Sequence, residues 1–296
     1  MNIAQDDVFG GLTGPALPVE EFAFGQGITI SRTFAHLMAP FLMAFSPAEP
    51  GKAHPAPLRA AKGGFGFDIV MQLHIPADFQ DDEWFDRLNT IWWFTALLRF
   101  VASPSILAAA VADRPFHDGS SASDIEIIPI EVESRRLLIS RQDAPELTVD
   151  HLEWVKKVWH PAGKLMRESP AFNTLFQASD QALFARTPSL ALLSLWGALE
   201  ALFSPARAEL RFRVSLNISA FLEKPGATRL ALQKKIAKLY DARSAAAHGS
   251  ANTQPDELIE TFVLVKRVLA EILDRNEVPS RDELEKLLFC VEDGSV

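Results

Sequence analysis

Cysteine is almost absent. Cys290 stands alone among 296 residues, so no disulfide can form within the chain, and a lone thiol fits a reducing cytoplasm. Long apolar runs are missing too: the most apolar early stretch, Phe34 to Phe45, is too short to span a bilayer and contains His36 and Pro40. Residues Met1 to Gly10 include Asp6 and Asp7 and no basic segment followed by an apolar run, so no secretory leader is expected. There is no GxxxxGK[ST] loop, no HExxH, no CxxC and no GxSxG elbow, which argues against triphosphatase, zinc and serine-hydrolase chemistry. His151 and His160 stand nine residues apart, roughly two and a half helical turns, too far to share a metal. No metal and no cofactor is expected. Net positive charge is also lacking: the formal total of -9 argues against a protein that coats nucleic acid generally, though not against a local basic site.

What is present is an ordinary globular composition, 48% hydrophobic and 23% charged, in a chain long enough for two domains. The expected class is α+β. A mixed α/β domain over residues 1–145 precedes an all-α bundle over residues 146–296. In the first part, Phe65 to Ile75 reads as a strand after the Gly63-Gly64 break, and Asp82 to Val101 has helical apolar spacing. Ile125 to Val132 and Arg136 to Arg141 read as strands, and the Pro-rich Ser46 to Pro57 as a surface loop. Trp92, Trp93, Trp154 and Trp159 are expected in the core. After Ala144 the punctuation is helical. Thr148 suits an N-cap, Ser169-Pro170 and Thr187-Pro188 each pair an N-cap with Pro at the first helical position, and Ser280 and Glu283 have capping-box spacing. Pro225-Gly226 separates two long helices, and Gly249 closes the second of them.

Two of these helices carry candidate chemistry. In Pro188 to Phe203, Leu192, Leu195, Trp196, Leu199, Leu202 and Phe203 form an apolar face, with Glu200 one turn beyond Trp196. A carboxylate so flanked either reaches solvent at the edge of the face or needs a partner. In Thr228 to His248, the inward stripe of Leu232, Ile236 and Leu239 continues to Arg243, which must snorkel out or meet an acid, another subunit or a phosphate. Glu200 is the intramolecular candidate. His248 follows at the helix end, where the negative end of the dipole favours imidazolium. The residues between them, Ser244 to Ala247, are small enough to admit another chain or a substrate. Around these positions Arg211, Arg213, Lys234, Lys235 and Lys238 form a basic segment, which fits a solvated helix face as well as a phosphate-binding one.

The string Leu239-Tyr240-Asp241-Ala242-Arg243-Ser244-Ala245-Ala246-Ala247-His248-Gly249 resembles the Arg-x4-His signature of HEPN domains, and particularly their ApeA-like branch. Leu195 to Phe203 resembles that branch's preceding helix, which also carries an acid at the position of Glu200, and Leu210 to Leu222 is similar to its middle helix. The likeness covers about Pro188 to Asn276. HEPN domains are helical bundles that usually pair, and many are metal-independent RNA endonucleases of antiphage defence or toxin systems. The resemblance therefore implies a homodimer with Arg243 and His248 converging at the interface as catalytic residues. Glu200 would orient Arg243, with Tyr240, Asp241 and Ser244 in support, and Arg211, Arg213, Lys234, Lys235 and Lys238 would steer the RNA backbone. RNA, tRNA included, would be the substrate. A phage ligand or an antitoxin would be a further partner, and the first domain would sense or regulate. The expected location is cytoplasmic, without membrane attachment. The alternative within the same resemblance is a catalytically silent HEPN scaffold that dimerises and binds a protein or phage ligand.

Overall fold

The computed structural model describes residues 6–79, 85–120, 125–132, 146–204, 209–247 and 255–291. A sheet region comes first and helices follow, so the class is α+β. The chain forms two compact units: one is the described part of Met1–Ser134 with Ala144–Lys156, the other the described part of Lys157–Val296. Among the described residues no helix is long and apolar enough to cross a membrane.

Among the described residues the first unit is built on six strands, β1 (Val8–Leu12), β2 (Glu21–Gly25), β3 (Ile28–Ala44), β4 (Leu58–Ile75), β5 (Ala108–Ala112) and β6 (Ile127–Pro129), in the order β2-β3-β4-β1-β5-β6. Every neighbouring pair is antiparallel; Val8 lies opposite Ile75, and Leu37 opposite Phe67. Helix α1 (Arg87–Val101) starts at Asp86, whose side chain accepts from Asn89 N at 2.7 Å. Successive residues of β1 face opposite sides of the sheet, and its two glycines show what covers each. A Cβ on Gly10 would stand 2.7 Å from the Ile91 side chain of α1, and one on Gly11 2.7 Å from Phe116. Close approach on both faces thus requires glycine at both positions. Beneath the second face lie Phe9, Ile69, Ala109, Ala110, Ala112 and Phe116. The buried Arg99 of α1 grips Glu131 through two bonds of 2.8 and 3.0 Å, and Glu131 also accepts from Ala108 N; this satisfies a charge that burial would otherwise make costly.

The expected elements need three corrections here. β4 begins at Leu58 rather than Phe65, because it pairs with β3 as far as Ala44↔Leu58; Gly63 and Gly64, both at positive φ, lie within it rather than in a turn before it. The strand expected over Ile125 to Val132 shortens to Ile127–Pro129, last in the sheet order among the described residues. Trp93 is buried, but Trp92, Trp154 and Trp159 are only partly so. The expected strand Arg136 to Arg141 lies outside the described residues, as do residues 82–84 of the expected first helix.

Helix α2 (Val149–Glu168) begins at Thr148, whose hydroxyl accepts from His151 N at 3.3 Å. His151 Nδ1 in turn takes the Thr148 N–H, so this ring nitrogen is committed to the helix start. The second unit contains α3 (Pro170–Gln181), α4 (Pro188–Phe203), α5 (Leu210–Leu222), α6 (Ala227–Ala247), α7 (Pro255–Arg275) and α8 (Arg281–Phe289). Ser169, Thr187 and Ser280 cap α3, α4 and α8, the last through a full capping box with Glu283. Helix α4 is the centre, packing against α3, α5, α6 and α7. Its Leu192, Leu195, Trp196, Leu199 and Phe203 are fully buried, each removed from water at a gain of about 1.5–3 kcal/mol for a side chain of that size.

Candidate functional site

The candidate site lies where α4 crosses α6. Trp196 and Glu200 are one turn apart on α4, and Tyr240 and Arg243 share a side of α6. The four side chains meet. Tyr240 donates its hydroxyl to Glu200 Oε1 at 2.9 Å, and Arg243 Nη2 approaches the same oxygen at 3.1 Å and Oε2 at 3.4 Å. The Arg243 guanidinium lies over the Tyr240 ring, 5.5 Å from its centroid, and that ring meets Trp196 edge-on at 5.2 Å.

Burial and charge act together on Tyr240. Removal from water, then the hydrogen bond and negative charge of Glu200, push its phenol up to about 12. The hydroxyl is therefore a neutral donor across the whole working range of pH. Arg243 and Glu200 keep 26% and 17% of their side-chain surface, so the pair sits at the rim of the bundle, not sealed within it. Arg243 Nε and Trp196 Nε1 are buried and have no hydrogen-bond partner among the described residues. Glu200 is met by Arg243 Nη2, while the unpartnered Nε is buried rather than open to an outside acceptor.

The other expected residues are placed as follows. Ser244 turns its hydroxyl back to Tyr240 O at 3.3 Å, within its own helix. Asp241 points elsewhere, gripping Arg211 of α5 through bonds of 2.7 and 2.9 Å. Lys235 reaches Glu260 of α7 at 3.3 Å. Arg213, Lys234 and Lys238 are exposed and form no ion pair among the described residues. His248 and Gly249 lie outside the described residues. Trp196, expected on the apolar face of its helix, is fully buried there, and its indole is also the wall of the site against the Tyr240 ring. The spacing that could have revealed it is the single turn between Trp196 and Glu200.

Among the described residues no group of three or more His, Cys, Asp or Glu comes together to hold a metal ion. Comparisons with protein-family models, with curated proteins and with solved structures gave no match.

Proposed function

We propose that the helical unit is a HEPN-type, metal-independent RNA endonuclease, acting in the cytoplasm in antiphage defence or as a toxin. The observation that carries this reading is Arg243. It is held at the rim of the bundle, its Nη2 on Glu200 and its guanidinium over the Tyr240 ring, partly exposed and five residues before His248. RNA brings its own nucleophile. His248 takes the proton of a 2′-OH as that oxygen attacks the adjacent phosphorus, or gives a proton to the departing 5′ oxygen. Arg243 binds the phosphate and stabilises the charge that gathers on its oxygens. The P–O5′ bond breaks, leaving a 2′,3′-cyclic phosphate and a 5′-OH. Two copies pairing through the bundle would supply two such Arg–His sets, and the exposed Arg213, Lys234 and Lys238 would hold neighbouring phosphates.

A second reading is a silent HEPN scaffold, favoured by the charge of Arg243 already being met by Glu200. The two separate on total RNA and tRNA in EDTA, comparing wild type with Arg243→Ala and His248→Ala. The nuclease reading expects cleavage by wild type alone. No cleavage by any of the three leaves the scaffold, and equal cleavage by all three overturns the assignment of both residues.

A further inference from the structure

The β3–β4 ribbon runs well past the strands beside it. β2 pairs with β3 only over Ile28–Ser31, and β1 with β4 only over Met71–Ile75. From Ala35 to Ala44 and from Leu58 to Ile69 the two strands pair with each other alone among the described residues. The near part is covered on one face, where Leu37 and Phe67 pack against the cluster that holds Phe116. In the far part Phe41, Leu42, Met43, Phe45 and Leu58 stand in solvent, Leu42 at 61% exposure and Met43 at 54%. A two-stranded ribbon this apolar is marginal alone in water, and so large an exposed apolar surface marks a contact.

Leu42 and Met43 decide what kind of contact fits. They are successive residues in regular pairing, opposite Ala60 and Arg59, so they point to opposite faces of the ribbon. Both faces are therefore apolar. A flat protein surface would cover one and leave the other wet, whereas a lipid layer takes up both. RNA is a poorer match still, since it offers nothing to aliphatic side chains on two faces. The loop that joins the strands is suited to drying. Pro47, Pro50, Pro55 and Pro57 lack a backbone N–H. Lys52 holds Glu49 at 2.6 Å, and His54 Nδ1 lies 3.0 Å from Ser46 O. Charge then selects the lipid. Glu49 is the one acid between Phe34 and Phe67, and Lys52 already neutralises it. Arg59 and Lys62 are exposed and form no ion pair among the described residues. A chain of -9 overall thus carries an apolar, basic tip, the combination that anionic headgroups attract.

We propose that the far end of the β3–β4 ribbon is a shallow anchor for an anionic lipid surface. Phe41, Leu42, Met43, Phe45 and Leu58 enter the boundary between headgroups and acyl chains. Arg59, opposite Met43, reaches back with Lys62 to the lipid phosphates. The ribbon does not span the bilayer, because two strands alone leave outer backbone edges unpaired, which the hydrocarbon centre does not tolerate. Such an anchor is peripheral and needs no membrane-crossing helix. It replaces the expectation of no membrane attachment, and it does not depend on RNA cleavage.

The test uses the full chain with Cys290→Ser and Leu42→Cys, labelled at the new thiol with a solvent-sensitive dye. Circular dichroism of each variant confirms the fold. The dye is expected to report water in the free protein and to shift to the blue with vesicles of phosphatidylcholine and phosphatidylglycerol in equal parts, far less with phosphatidylcholine alone. In vesicle sedimentation, Arg59→Glu with Lys62→Glu should weaken binding roughly tenfold, and Leu42→Asn with Phe45→Asn by at least as much. No binding to the mixed vesicles, or binding that either double variant keeps in full, overturns the proposal. So does a dye that reports an apolar setting before lipid is added, which would mean that a second copy or another part of the chain covers the ribbon.

Discussion

Tyr240 donates its hydroxyl to Glu200 Oε1 at 2.9 Å, the oxygen that Arg243 Nη2 also approaches. One carboxylate oxygen therefore couples the state of a phenol to the position of a guanidinium, and both can be read in solution.

Tyr240 is the chain's one tyrosine, so absorbance at 295 nm titrates it alone. The folded protein should ionise near 12 and the urea-unfolded chain near the ordinary 10.0. Because the folded value is raised, the stability this side chain contributes is intact below pH 10 and is lost between about 10 and 12. Glu200→Gln should move the folded midpoint downward only in part, since burial is the larger cause. A folded midpoint at the ordinary value would contradict the geometry.

Removing the carboxylate should cost more than removing the phenol hydroxyl. Glu200→Ala leaves the Tyr240 hydroxyl unpaired and Arg243 without its anchor. The pair is partly exposed, so the expected loss is about 1–2 kcal/mol in urea unfolding, below that of a sealed ion pair. Tyr240→Phe should lose about 1 kcal/mol. If the site cleaves RNA, both should also lower its rate, and Arg243→Lys should lower it further, since an ammonium cannot present the forked donors of a guanidinium.

Two glycines should respond to alanine in opposite directions. Gly10→Ala drives a methyl into Ile91, 2.7 Å away, and should destabilise the first unit by about 1–3 kcal/mol. Gly197, inside α4, meets nothing within 4 Å, so Gly197→Ala should stabilise by about 0.5–1 kcal/mol. Thermal unfolding of the two variants checks both signs.

If Arg213, Lys234 and Lys238 meet the RNA backbone, replacing all three by Gln should weaken binding and flatten its dependence on salt. Each lost phosphate contact should reduce the slope of log K against log [salt] by roughly 0.7–0.9. An unchanged slope would leave these side chains as solvated helix surface.

The helical half was the more legible because its signals are local. Ser169-Pro170, Thr187-Pro188 and the Ser280–Glu283 box begin helices at the residues where the caps fall. Leu210 to Leu222 is a helix over the same bounds. The sheet was harder to read, since its signals lie far apart in sequence. Ala108–Ala112 has the composition of a helix and is a strand only because β1 and β6 flank it. Gly10 and Gly11 look like a break and are instead the points where α1 and Phe116 press on β1. In the site, an Arg continuing an apolar stripe announced a need for a partner, and Glu200 lies within reach of it. The shared oxygen and the indole wall depend on how α4 crosses α6, which no spacing within either helix encodes.

The central claim is tested most directly by the chemistry of the product ends. Wild type incubated with RNA in EDTA is expected to leave 2′,3′-cyclic phosphates and 5′-hydroxyls, with Arg243→Ala and His248→Ala both silent. Products ending in 3′-hydroxyl and 5′-phosphate, or cleavage that survives both substitutions, would contradict it.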